Sequence, residues 1–133
     1  MTEGLLKSCF RPRGIRLTLV AVACVLGLTH IPGPDMPRIL EVHALDKVEH
    51  VLAYGSIAGF FLLSLKRPMR PALLLLGLVA LAGIALLDET TQPLVDRTCD
   101  FWDFASDLVG IAVPCVVSGL ARRWRFHAVP SRG

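Results

Sequence analysis

The sequence predicts an all-α polytopic membrane protein of four transmembrane helices, arranged as two hairpins with both termini cytoplasmic. Three observations carry this expectation. Of 133 residues, 53% are hydrophobic and only 19% are charged, against about 45–50% and about 25% in an ordinary soluble domain. The apolar residues gather into four charge-free runs, Leu17–Ile31, Val51–Leu65, Ala72–Leu87 and Leu108–Ala121. The charges between the runs alternate in sign from one connection to the next. The length suits one domain, residues 1–133. The runs show no period-2 alternation, which argues against an outer-membrane barrel. Backbone at membrane depth must satisfy its own hydrogen bonds, which leaves helices.

The four runs hold 15, 15, 16 and 14 residues, each about one turn short of the roughly 20 a bilayer requires. Each helix is therefore expected to continue into the polar residues beside its run, giving spans near 15–31, 47–66, 71–92 and 101–122. Lys7, Arg11, Arg13 and Arg16 precede the first run as in a signal peptide. No small-x-small cleavage site follows, only Thr29-His30-Ile31-Pro32, so a retained helix is expected. Pro32, Gly33, Pro34 and Pro37 make His30–Leu45 a loop. Lys66-Arg67-Pro68-Met69-Arg70-Pro71 reads as a tight turn, and Pro93–Phe101 as a short connection. Small residues such as Gly55, Ala58, Gly59 and Gly83 let membrane helices approach closely. Of the cysteines, Cys9, Cys24, Cys99 and Cys115, only Cys99 lies in an outward connection, so they form no disulfide framework and no zinc spacing.

The charges set the orientation. Residues 1–16, the 66–71 turn and the tail after Ala121 carry four, three and four of the 14 basic residues, with Glu3 their single acid. The other two connections hold Arg38, Lys47 and Arg97 against the remaining ten acids. Short Lys/Arg-rich segments stay cytoplasmic, so both termini and the 66–71 turn are expected inside, with the acidic connections facing outward.

The outward polar residues form a pattern. Asp46, His50 and Tyr54 stand at i, i+4 and i+8, one stripe of a helix, with Lys47 beside them. Asp88 and Gln92, with Glu89 adjacent, end the third run; Asp103 and Asp107 open the fourth; Arg97 lies between. Ionisable groups at membrane depth avoid lipid and point into the bundle. Asp46 and Asp103 alone are ordinary partners of a helix N-terminus. His50 alone is more often a hydrogen-bonded structural residue, and Tyr54 alone an interfacial anchor. Asp107 lies one turn inside its run, and Asp88-Glu89 oppose the helix dipole, so capping explains neither. Eight carboxylates here face Lys47 and Arg97 as the two cations. Such an excess must protonate, reach water or hold a cation. Asp46, His50, Glu89, Asp103 and Asp107 could supply oxygen and nitrogen ligands to a divalent metal ion.

These residues resemble the VanZ-like family of small bacterial membrane proteins. The matching text is Asp46-Lys47-x-x-His50-x-x-x-Tyr54, Asp88-Glu89-x-x-Gln92, then Arg97, Asp103 and Asp107-x-x-Gly110, over about Ile31 to Leu120. Where that family usually carries Asn, this chain has Asp107. The family includes a protein associated with low-level teicoplanin resistance, so the resemblance implies a role in the cell envelope without supplying a reaction.

Two function classes follow. In one, Asp46, Lys47, His50, Tyr54, Asp88, Glu89, Gln92, Arg97, Asp103 and Asp107 form an outward site for a ligand, such as an envelope lipid or cell-wall precursor held through a metal. In the other, the same residues are a non-catalytic network that fixes helix packing. No nucleophile–base arrangement singles out a reaction, and nothing in the pattern calls for nucleic acid. The inner halves of the runs hold no second polar station, which argues against ion translocation.

Overall fold

A computed structural model describes residues 9–32, 43–66 and 70–127, with side chains described from residue 45 in the second segment and up to residue 121 in the last. The proline-rich stretch of the first loop with Arg38, residues 67–69 of the 66–71 turn, and the side chains of Arg122, Arg123 and Arg125 lie outside the described residues, as do Lys7 and Arg132.

Four helices make up the described chain: α1 Pro12–Thr29, α2 His43–Ser64, α3 Pro71–Thr91 and α4 Phe101–His127. A 3-10 turn, Gln92–Val95, prolongs α3. No strand forms among the described residues beyond one isolated bridge, Phe10 to Leu65. Proline starts α1 and α3 at the first helical position, where its missing N–H is not needed. The helices are 18, 22, 21 and 27 residues long, so each outruns its charge-free core into the flanking polar residues. α2 begins at His43, ahead of the expected 47, which puts Asp46 in its first turn. α4 continues to His127, beyond the expected 122, because no glycine or proline interrupts 121–127.

Three of the helices are long and apolar enough to cross a membrane: Pro12–Thr29, Pro71–Val95 and Phe101–Ala121. α2 has the length, but its first turns carry Asp46, Lys47, Glu49 and His50. The outside of the molecule is apolar. Leu75, Leu76 and Leu87 are 64–65% exposed, while Asp88, Glu89, Gln92 and Asp107 are at most 2% exposed. An apolar exterior around a polar interior is the arrangement a lipid solvent favours. Helical hydroxyls follow the same rule by bonding back to their own helix, as in Thr18 to the Gly14 carbonyl (2.9 Å) and Ser106 to the Trp102 carbonyl (2.8 Å).

α2 is the central helix and packs most extensively on α4, then on α1. Tyr54, Ile57, Ala58, Leu81, Ala85 and Ile111 are buried together as the apolar core. Two glycines set the spacing. At Gly110 an added Cβ would stand 2.5 Å from the Val51 carbonyl oxygen and 3.0 Å from the Gly55 nitrogen, so α4 lies directly on the α2 backbone. At Gly14 a Cβ would collide with the Ser64 Cα. The start of α1 is tied there to the end of α2, with the Arg11 amide donating to the Ser64 carbonyl and the Lys66 amide to the Cys9 carbonyl (2.6 and 2.8 Å).

Candidate functional site

All four helices send polar groups to one end of the bundle. α1 and α3 arrive there with their C-termini, α2 and α4 with their N-termini. Tyr54, His50 and Asp46, spaced by four, descend one face of α2. Asp107 and Asp103 do the same on α4, one turn apart. Because Gly110 lets the two backbones touch, the α2 and α4 stripes face each other.

Asp88 is the first centre. Its Oδ2 accepts from the Tyr54 hydroxyl (2.9 Å) and its Oδ1 from the Thr29 hydroxyl (2.7 Å). His30 Nδ1 lies 3.4 Å from the same Oδ1, and His30 Nε2 lies 2.9 Å from Thr91 Oγ1. A carboxylate at the C-terminus of α3 opposes the dipole; two hydroxyl donors, Thr29 of α1 and Tyr54 of α2, compensate it.

His50 is the second centre. Its Nδ1 donates to Asp107 Oδ1 at 2.8 Å, with the two side chains 5% and 1% exposed. Asp107 Oδ2 is buried and has no hydrogen-bond partner. Beside this pair, Lys47 bonds Asp103 and donates to Asp100 Oδ2 at 2.8 Å, and its Nζ stands 4.0 Å from Asp46. Asp100 Oδ1 also takes the Trp102 amide (2.9 Å), capping the first turn of α4.

Glu89 and Arg97 join the two centres. Glu89 Oε2 accepts from the Gln92 amide at 3.2 Å, and Oε1 takes the Asp100 backbone N–H. Arg97 Nη1 donates to the Thr29 carbonyl at 2.8 Å, at the end of α1, and Nη2 stands 3.7 Å from Asp46 at the start of α2. One guanidinium thus holds a helix C-terminus and a helix N-terminal carboxylate.

The arrangement brings together all ten residues of the sequence pattern and sorts them. Tyr54 and Asp88 belong to one centre; His50, Asp107, Asp103, Lys47 and Asp46 to the other; Glu89, Gln92 and Arg97 connect them. Of the five expected metal ligands, Asp46, His50 and Asp103 offer one donor atom each, all within 4.8 Å of one another. Both Glu89 oxygens are engaged elsewhere, and Asp107 lies behind His50. Thr29 and His30 join the site unannounced. They close an apolar run without charge, and only their depth, level with Asp88, could have singled them out.

A cavity of about 390 Å³ lies between α1 and α2 beside this cluster. Val25, Leu28, Leu52 and Ala53 form its apolar wall, and Asp46, Glu49, His50 and Arg97 its polar end. Leu28 and Leu52 are 62% and 63% exposed, so the cavity opens sideways through the apolar exterior.

No family model, curated protein or solved structure matches the chain.

Proposed function

We propose that this chain is an integral membrane protein of VanZ-like type that binds a membrane amphiphile at its polar end, with the hydrocarbon in the α1–α2 cavity and the head group against Asp46, His50 and Arg97. The observation that carries this reading is the cavity's two-part lining. Its apolar wall is open to lipid, and its end holds both signs of charge. A water-soluble ligand would have no use for a lateral apolar entrance; a lipid or lipid-linked envelope precursor would enter through one. In this reading all four helices span, α1–α2 and α3–α4 are hairpins, and both termini are cytoplasmic. The charge distribution then puts the polar end on the extracytoplasmic side of the inner membrane.

The test is lipid content. Protein purified in mild detergent should carry a bound amphiphile visible by native mass spectrometry. Ala53→Trp, which fills the cavity, should lose it while melting normally. Equal lipid retention in Ala53→Trp would overturn the reading. A reporter fused after Arg125 should read cytoplasmic, and a periplasmic signal there would overturn the orientation.

The structural-network reading keeps a specific foothold at Asp88. Both its oxygens are satisfied by Tyr54 and Thr29, so that half of the cluster fixes the packing of α1, α2 and α3.

A further inference from the structure

The α2–α4 side of the polar end is not self-sufficient in the way Asp88 is. Asp46, His50 and Asp103 present three donor atoms within 4.8 Å of one another, with His50 and Asp103 buried. Two carboxylate oxygens and an imidazole nitrogen suit a borderline divalent ion; magnesium and calcium prefer oxygen alone. A second observation stands behind the histidine. Asp107, 1% exposed, grips His50 Nδ1 at 2.8 Å, and its own Oδ2 is buried without a partner. A carboxylate on the far nitrogen of a ligating histidine fixes the ring's tautomer and orientation in metal centres. It leaves Nε2 as the nitrogen free to coordinate. A third observation is the cation already present. Lys47 bonds Asp103, stands 4.0 Å from Asp46, and keeps a separate hold on Asp100 at 2.8 Å.

We propose that Asp46, His50 and Asp103 form a site for a zinc-like divalent ion, and that the Lys47 ammonium is a tethered cation which that ion displaces from Asp103. Lys47 then stays on Asp100, whose Oδ2 it already holds. Arg97, 3.7 Å from Asp46, supplies the remaining positive charge. Three protein ligands leave a further coordination position. Asp46 and His50 also line the cavity, so that position is within reach of an anionic oxygen of a bound head group. The inference rests on the reading of this end as a ligand site and adds the ion through which an acidic pole can accept an anionic ligand.

The experiment uses the full chain without an affinity tag, in detergent, stripped with chelator and titrated with Zn²⁺ by calorimetry and with Mn²⁺ by electron paramagnetic resonance. One saturable ion per chain is expected. Asp103→Asn, which is isosteric, should weaken binding at least about tenfold, and Asp107→Asn about 10–100-fold by loosening His50. Lys47→Met should bind more tightly than the parent, because the competing cation is gone. Thermal melts identify any variant that fails to fold, and Asp103→Asn and Lys47→Met, with opposite expected signs, carry the test together. Absence of saturable binding in both parent and Lys47→Met, or equal affinity in the two, overturns the proposal. Lipid content measured on the protein as purified, before chelator, reports on the amphiphile reading separately. No bound lipid in protein that binds Zn²⁺ fails that reading, and bound lipid in protein without Zn²⁺ binding fails the metal site.

Discussion

His50 and Asp107, 57 residues apart in the chain, meet across α2 and α4 at 2.8 Å with both side chains buried. One Asp107 oxygen serves His50, and the other serves nothing. Asp107→Asn preserves an acceptor for the imidazole and removes a buried carboxylate, so stability should stay within about 1 kcal/mol of the parent. Asp107→Ala strands the His50 donor and should cost about 1–3 kcal/mol. Detergent-phase thermal unfolding of the two variants checks this. An Asn variant as unstable as the Ala variant would show that the negative charge itself holds the helices together.

Gly110 should tolerate no side chain without a shift of α4. A Cβ there meets the Val51 carbonyl at 2.5 Å, and the atom it meets is backbone. Gly110→Ala must push α4 off α2, separating His50 from Asp107, and overpacking of this kind costs about 1–3 kcal/mol. Gly59→Ala and Gly83→Ala meet nothing within 4 Å and should be neutral or gain up to about 1 kcal/mol from helix propensity. Melting temperatures of the three variants should separate accordingly; equal behaviour would remove the close α2–α4 contact from the account.

Tyr54 and Thr29 share one acceptor residue, Asp88. Tyr54→Phe and Thr29→Val should each lose about 0.5–1.5 kcal/mol. Their combination should depart from additivity, because each donor is worth more when the other is missing from a buried carboxylate. A double-mutant cycle on unfolding free energy measures this coupling, and strict additivity would mean the two oxygens of Asp88 are solvated independently.

Arg97→Ala should loosen the end of α1, because the Thr29 carbonyl loses its charged donor at 2.8 Å. Hydrogen bonds to charged groups contribute about 1.5–3 kcal/mol, and that range is the expected loss. Arg97→Lys keeps the charge but cannot reach Thr29 and Asp46 with a planar fork, so it should recover less than half of the loss. Amide exchange at Leu28–His30 should quicken in both variants.

The fold was legible because its signals are coarse. Four apolar runs and alternating charge need only composition and order, and Pro71 marks the start of α3 as expected; α1 runs Pro12–Thr29, not the expected 15–31. The helical residues 43–46, ahead of the expected 47, were missed because the expected span was extended only as far as the charged residues beside the apolar run. The ten site residues were legible through i, i+4 spacing, which places side chains on one face of one helix. Their pairing was not, since it depends on helix rotation and on Gly110. Nothing in the order of residues says that Lys47 takes Asp103 and Asp100 while Arg97 takes the Thr29 carbonyl. Thr29 and His30 escaped because uncharged polar residues at the end of an apolar run look like an ordinary helix end.

The polarity of α2 makes it dependent on chain that follows it. α2 carries Asp46, Lys47, Glu49 and His50 in its first two turns. Lys47 is held by Asp100 and Asp103, His50 by Asp107, and Asp46 faces Arg97. The central helix is thus completed by its last neighbour: without α4 and the connection before it, the buried end of α2 has no counter-charges.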